Sequence, residues 1–385
     1  MAGASDLPVY LDNNATTAID PRVLERMQEC WKSGFANPGS QHAFGRAART
    51  ILEDSRESIA EILNADASEV IFTSGGTEAI NASVYGFTFG RRGTLAATAG
   101  EHPAASEACQ IAINSGWKQV TLTVDSNSRL EDALLDQLPW TDLKLVCVIL
   151  AHNETGVIQD VQRLSSLCLQ HGVPLLLDAV QAVGKIPVDF QALGATAVAF
   201  GAHKFHGPRG VGGLLLRRGV KLPPFLVGGY QESGRRAGTE AVPLIAGMAK
   251  ALEVWHLEHA DRDVIVRSLR DRLQSGLMQK CPSAIVHGLH ANRLANTLSI
   301  AFPGVAGEAL LVNLHLAGIA CSLGSTCASG SVEPAKSLLA MGVAPDICKS
   351  SVRFSLSYQN TVSEIDWSIN KIATLVSRLQ TESVS

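Results

Sequence analysis

The chain is predicted to be an α/β protein, with a large domain on a mostly parallel sheet and a smaller α/β domain after it. Three observations lead there. Between about residues 50 and 220, short apolar runs alternate with amphipathic stretches of helical spacing, the pattern of strands joined by crossover helices. Near residue 240 that rhythm gives way to a long helical pattern and then shorter strands and helices. The length of 385 residues, at roughly 100–200 residues per domain, suits two units.

Taken in order, residues 68–73 read as a strand entry ending at a glycine pair, and 94–99, 143–151, 174–177, 195–200 and 211–216 as further strands. Residues 104–115 and 161–171 carry helical spacing between them. Connections of this kind are right-handed. Thr239 is expected to cap a long helix over 244–278, with apolar residues at Ile245, Met248, Leu252 and Trp255. Strands at 298–302 and 352–356 and helices at 307–316 and 364–379 complete the second domain. A cleft between the two units is the natural ligand site.

Composition narrows the function classes. The net charge of −4 comes without a polybasic run, which argues against nucleic acid or an anionic membrane surface as a direct partner. The longest apolar stretches, such as 145–151, fall far short of the roughly 18 residues a membrane span needs. Residues 1–10 lack both a basic n-region and an apolar h-region, so a cytoplasmic location is expected. None of the eight cysteines forms a Cys-x-x-Cys pair, so most are expected to be buried thiols.

In open α/β sheets ligands gather at the carboxyl ends of the strands, so polar residues directly after the apolar runs are the candidates. Gly76 and Thr77 follow the first strand at a helix start, where exposed N–H groups suit a phosphate; an ordinary tight turn is the alternative. His102 follows the second run and could lie over a ring or be purely structural. Asn153 follows the third, as a ring contact or a loop cap. Asp178 ends the fourth, where a buried carboxylate needs a cationic partner; a protonated pyridine nitrogen, a salt bridge or a helix cap would each serve. Gln181 is three residues on. Lys204 follows the fifth run in a Gly-rich segment, where burial makes a better Schiff-base amine. His203 could reach a phosphate. The pair His203 and His206 has no third ligand of matching context, so no metal is expected. Together these residues form the part list that pyridoxal phosphate requires.

At this point the sequence resembles the cysteine desulfurases of the NifS/IscS type, within the class V aminotransferase fold family. The resemblance runs nearly full length, from Tyr10-Leu-Asp-Asn-Asn-Ala-Thr-Thr17 to the C-terminal helix. Its most specific stretches are Asn37-Pro-Gly-Ser-Gln-His42, Thr73-Ser-Gly-Gly-Thr-Glu78, Asn153-Glu-Thr-Gly156 and Asp178-Ala-Val-Gln181. His203-Lys204, Arg236-Ala-Gly-Thr239, Gly324-Ser-Thr-Cys-Ala-Ser329 and Ser350-Ser-Val-Arg-Phe-Ser355 add to them.

The resemblance implies a fold type I architecture with a seven-stranded-type sheet. The large cofactor-binding domain would span 14–250, and the small domain 1–13 and 251–385. It implies that Lys204 holds pyridoxal 5′-phosphate covalently, that His102 stacks on the ring and shuttles protons, and that Asp178 pairs with the ring nitrogen. Gln181 and Asn153 would contact the ring hydroxyl side, and Gly76, Thr77, Gly201 and His203 would surround the phosphate. Thr239 would reach the phosphate of a neighbouring subunit, making a homodimer. Arg353 would hold the substrate carboxylate, with Asn37 close by. Two departures stand out: Gly201 where a Ser is frequent, and His152 where an Asn is frequent.

Cys327 lies in a small, polar, Gly-rich stretch, the composition of a loop rather than a core. On the resemblance it is the catalytic thiol, on a loop of about 321–335. It would take sulfur from L-cysteine as a persulfide, leaving L-alanine, and pass it to an acceptor or iron–sulfur scaffold protein or toward tRNA thiolation. Cys321, on an apolar stretch, reads as structural. The alternatives are a related enzyme on the same fold (an aminotransferase, or a selenocysteine or cysteine-sulfinate lyase) and a non-catalytic scaffold. The first needs no thiol at 327. The second would be expected to lose Lys204, Cys327 or Arg353.

Overall fold

A computed structural model describes residues 8–323 and 334–382. From the amino end come β1 (Val9–Tyr10), α1 (Pro21–Ser33) and α2 (Ala43–Ile62), then β2 (Val70–Thr73), α3 (Gly76–Thr88), β3 (Thr94–Thr98), α4 (Pro103–Asn114) and β4 (Lys118–Leu122). β5 (Leu143–Ile149), α5 (Gln162–His171), β6 (Leu175–Asp178), α6 (Phe190–Leu193), β7 (Ala197–Gly201) and β8 (Gly212–Leu216) finish the large sheet. A helix of 39 residues, α7 (Val242–Lys280), leads to the second unit. That unit holds β9 (Ile285–Val286), β10 (Thr297–Ala301), α8 (Gly307–Leu316), β11 (Ile319–Ala320) and β12 (Ser322–Leu323). It closes with α9 (Lys336–Ala340), α10 (Pro345–Lys349), β13 (Ser351–Ser355) and α11 (Val362–Glu382).

The large sheet has seven strands in the order β2-β8-β7-β6-β5-β3-β4. All its pairings are parallel except those of β8, which runs antiparallel to both neighbours. The alternation of side chains along each strand divides the core in two. Leu175, Leu177, Val198 and Leu215 join a cluster with α1, α2, α5 and the first half of α7. Leu176, Ala197, Ala199, Leu214 and Leu216 pack on the other face with α3 and α4. Burial on both faces explains why these strands read as continuous apolar runs. β4 departs from that pattern: it is an edge strand, exposed over most of its length.

α7 serves two cores. Ile245, Met248, Leu252 and Trp255 pack into the first. Val266, Leu269, Leu273 and Leu277 join a separate cluster with β10, β13, α8 and α11. The second sheet is antiparallel, in the order β12-β13-β10-β9. β1 is paired with β11, Val9 opposite Ile319. The cap expected at Thr239 is not formed: the helix starts three residues later, behind Ala241, with no side-chain cap. Among the described residues no helix is long and apolar enough to cross a membrane.

The segment between β8 and α7 turns through two left-handed residues, Glu232 (φ 49°) and Ser233 (φ 58°). Such backbone persists only where its surroundings hold it. Here the carboxylate of buried Glu232 takes two bonds of 2.8 Å from the buried Arg56 guanidinium and one of 3.0 Å from the Phe72 amide. Without Glu232, Arg56 keeps the Glu53 carboxylate (2.9 Å) and the Val70 main-chain oxygen (2.9 Å), but the Phe72 amide loses its acceptor. Glu232→Ala is therefore expected to lower unfolding free energy by about 1–3 kcal/mol, measured by urea titration.

Candidate active site

A cavity of about 520 Å³ opens at the carboxyl ends of the central strands, and the second unit contributes Arg353 and Leu323 to its wall. Gly76, Thr77, His102, Asn153, Asp178, Gln181, His203, Lys204 and Arg353 all line it. They come from segments more than 270 residues apart in sequence, and the strand-end rule finds most of them.

Lys204 ends the short 3₁₀ turn Ala202–Lys204 directly after β7. Its Nζ donates to the main-chain oxygens of Asn14 (2.6 Å) and Ala15 (2.8 Å). Burial and the Arg353 charge pull its pKa down to about 8, against the opposing pull of Asp12 and Asp178. Asp178 is the last residue of β6 and is buried. Its Oδ1 accepts the Val180 amide at 2.9 Å. Burial pushes its pKa up to about 6, the response of a carboxylate short of a cationic partner.

His102 stands at the start of α4, where its Nδ1 accepts the Ala104 amide at 3.1 Å. Burial, then Lys204 and His152, pull its pKa to about 4, so it is a neutral ring near pH 7. His203 is likewise pulled to about 4, by burial and then Lys204, and its Nδ1 lies 3.2 Å from Thr16 Oγ1.

α3 begins at Gly76, so its first amides face the cavity. The approach is tight: a Cβ at Gly76 would come within 2.4 Å of Val180 Cγ2. A Cβ at Gly201 would sit 3.3 Å from the Gly76 amide nitrogen. Gly201 is thus beside the helix start, although it does not itself line the cavity.

Arg353, on β13, donates from Nη1 to Asn153 O (3.1 Å) and from Nη2 to Asp12 (2.8 Å). Its buried Nε–H has no partner among the described residues.

Asn37 is the departure from expectation. It is exposed, does not line the cavity, and accepts the Gly39 amide at 2.8 Å in a local turn. Thr239 is also exposed and outside the cavity. Cys327 lies outside the described residues. Cys321, read as structural, lines the cavity half-buried. Burial and Asp12 push its thiol up to about 12, so it stays protonated and unreactive.

Sequence reasoning missed three members. Asn14 lines the cavity and is almost fully buried. Asp12 orients Arg353 and accepts Ser322 Oγ at 2.8 Å. Glu101 is buried behind His102 and accepts the Ile149 amide at 2.7 Å; burial and the nearby Asp178 push its pKa up to about 8. Glu101 had a local signal, as a carboxylate directly before the strand-end histidine.

Comparison with known proteins agrees with this architecture. The family model Aminotransferase class-V matches residues 9–367, and the chain belongs to that family. Within it, the similar proteins are cysteine desulfurases. The chain is 40% identical to the cysteine desulfurase of Enterobacter agglomerans over 97% of its own length and 94% of the relative. It is 39% identical to the cysteine desulfurase NifS of Azotobacter vinelandii, over 97% and 93%. A solved NifS-like protein, 36% identical, superposes with a TM-score of 0.90 over 97% of this chain and all of that one.

Proposed function

We propose that the chain is a pyridoxal-phosphate-dependent cysteine desulfurase that moves sulfur from L-cysteine to Cys327. The observation that carries this reading is the pairing, across one cavity, of a half-buried lysine of lowered pKa with a buried carboxylate that has no ion-pair partner among the described residues. The residues present fit the cofactor. Asp178 suits a protonated ring nitrogen, Lys204 an aldehyde, and the close-packed start of α3 a phosphate that main-chain amides receive. Gln181 and Asn153 would take the ring hydroxyl side and His102 the ring face. Bound there, pyridoxal phosphate supplies an electron sink for the carbanion at the substrate Cα.

The chain's own residues do the rest. Arg353 binds the substrate carboxylate, held for it by Asp12 and Asn153 O. Lys204, as a neutral amine, takes the Cα proton. His102, neutral near pH 7, hands protons across the cavity. The Cys327 thiolate attacks the substrate sulfur: an S–S bond forms, the C–S bond breaks, and its electron pair stays with the carbon fragment, which is protonated and leaves as alanine.

On this reading the persulfide passes to an acceptor or scaffold protein for iron–sulfur clusters or tRNA thiolation. The exposed Thr239 serves a neighbouring subunit of a homodimer, and the site of action is the cytoplasm. A large unit of 14–250 and a small one of 1–13 and 251–385 is supported in outline by the two separate cores, although Leu252, Trp255 and Leu294 still pack in the first.

Purified protein with L-cysteine and a reductant is expected to give sulfide and alanine in equal amounts. A bound cofactor with neither product would move the assignment to another amino acid. The lowered pKa of Lys204 also sets a pH dependence. Only the neutral amine attacks an aldehyde, and its fraction rises from about a tenth at pH 7 to about half at pH 8. Capture of pyridoxal phosphate by the apoprotein, followed by absorbance, is expected to speed up about fivefold over that interval and to level off above about pH 9.

A further inference from the structure

Lys185 has no part in the chemistry above, yet it sits among the groups that do. It lies four residues beyond Gln181, and its two partners are neutral oxygens. Nζ donates to Asn14 Oδ1 at 2.8 Å and to Gln181 Oε1 at 2.5 Å. Burial and the charges of Lys204 and Arg353 hold its pKa well below that of a free lysine. It acts here as a half-buried hydrogen-bond donor with no carboxylate bonded to it among the described residues.

Its bonds anchor two amides whose turn their other partners set. A main-chain oxygen only accepts, and the oxygen of Asn14 takes a Gln181 Nε2–H at 2.9 Å. Gln181 Oε1 is therefore the atom bonded to Lys185, and the second Nε2–H is what Gln181 has left to offer the cavity it lines. The same logic fixes Asn14. Its Nδ2 donates to Asn153 O (3.1 Å) and Thr297 Oγ1 (2.9 Å), so Oδ1 is the acceptor for Lys185 and for Asn296 Nδ2 (2.9 Å). The main-chain oxygen of this residue also receives Lys204 Nζ.

We propose that Lys185 is a positioning residue: it anchors the Gln181 amide in the turn set by the Asn14 main-chain oxygen, so that an N–H is held toward the cofactor pocket, and it pins Asn14, on which the Lys204 amine rests. The inference rests on the assignment of this cavity to pyridoxal phosphate. Without Lys185, Gln181 Oε1 loses its donor and the amide is held by its single bond to the Asn14 main-chain oxygen. The N–H offered to the ring hydroxyl side would then be loosely aimed instead of fixed.

The test uses wild type, Lys185→Met and Lys185→Gln as cofactor-loaded proteins. The visible circular dichroism of the bound cofactor, its release rate, and kcat and KM for L-cysteine are measured, with far-UV dichroism and thermal melting as controls. Lys185→Met is expected to melt like wild type but to show a visible band weakened at least about twofold. Release should be about tenfold faster and kcat about tenfold lower, the scale of one lost hydrogen bond between fixed groups, with KM little changed. Lys185→Gln, which keeps an amide donor, is expected to recover part of the band and of kcat.

A Lys185→Met protein with wild-type band, release rate and kcat overturns the proposal. So does a loss of kcat that merely follows the fraction of protein without cofactor. If Lys185→Met does not fold, Lys185→Ala, which also lacks the donor, is judged by the same readings, and wild-type values in it overturn the proposal. Wild-type protein that takes up no cofactor overturns both this inference and the reading beneath it. Wild type that loads normally beside unaffected variants removes the inference alone.

Discussion

Lys204→Ala is expected to reduce alanine and sulfide formation by about a thousandfold or more, since it removes the attachment point and the base together. The variant should still bind pyridoxal phosphate, because Asp178, Gln181, His203 and the start of α3 remain around the cavity. Its absorbance would be that of free aldehyde, and dialysis would remove it. Turnover within about tenfold of wild type would mean that another amine does this work. Lys185 would then be the next candidate, being also a half-buried amine of lowered pKa beside Asn14.

Cys327→Ala is expected to abolish persulfide formation while leaving cofactor uptake at wild-type level. Substrate should still bind and change the cofactor spectrum, with sulfide release reduced by about a hundredfold or more. The other thiol beside the cavity is a poor substitute. Cys321 is half-buried with its pKa pushed up to about 12, and the remaining described cysteines are buried. Alkylation followed by mass measurement locates the sulfur adduct. An adduct on Cys321, or wild-type sulfide release from Cys327→Ala, would remove Cys327 from this role.

Much of the cavity was legible because strand ends are legible. Asp178 closes β6 and Lys204 follows β7 by three residues, so a buried apolar run announced each. Arg353 showed no such local reason, and only the motif around it pointed to a task. Asp12 and Asn14 were quoted as part of a motif without a role, because their partners are 341 and 283 residues away. No periodicity within a window reports a contact of that length. β4 was missed since an exposed edge strand has little apolar pattern, and β1, β9, β11 and β12 are pairs of residues held by their neighbours. Asn37, placed near the substrate by resemblance, is exposed and caps a turn. A motif conveys which residues recur together, and the local Asx geometry is reason enough for an asparagine before Pro38-Gly39.

The pairing of β1 with β11, and of Asp12 with Arg353, has a consequence for biosynthesis. Residues 9–14 leave the ribosome early relative to their partners at 319–320 and 353–355, which emerge more than 300 residues later. The large sheet can pair as it is made, since its strands lie within residues 70–216, and domains generally fold as units during synthesis. Asn14, where the Lys204 amine rests, is fixed by Ser355 and Thr297, so its place is settled only when that late segment arrives. A nascent chain stalled before residue 350 would therefore carry a folded sheet without a finished amine site, and competence to hold the cofactor would be acquired only once residues 353–355 have emerged.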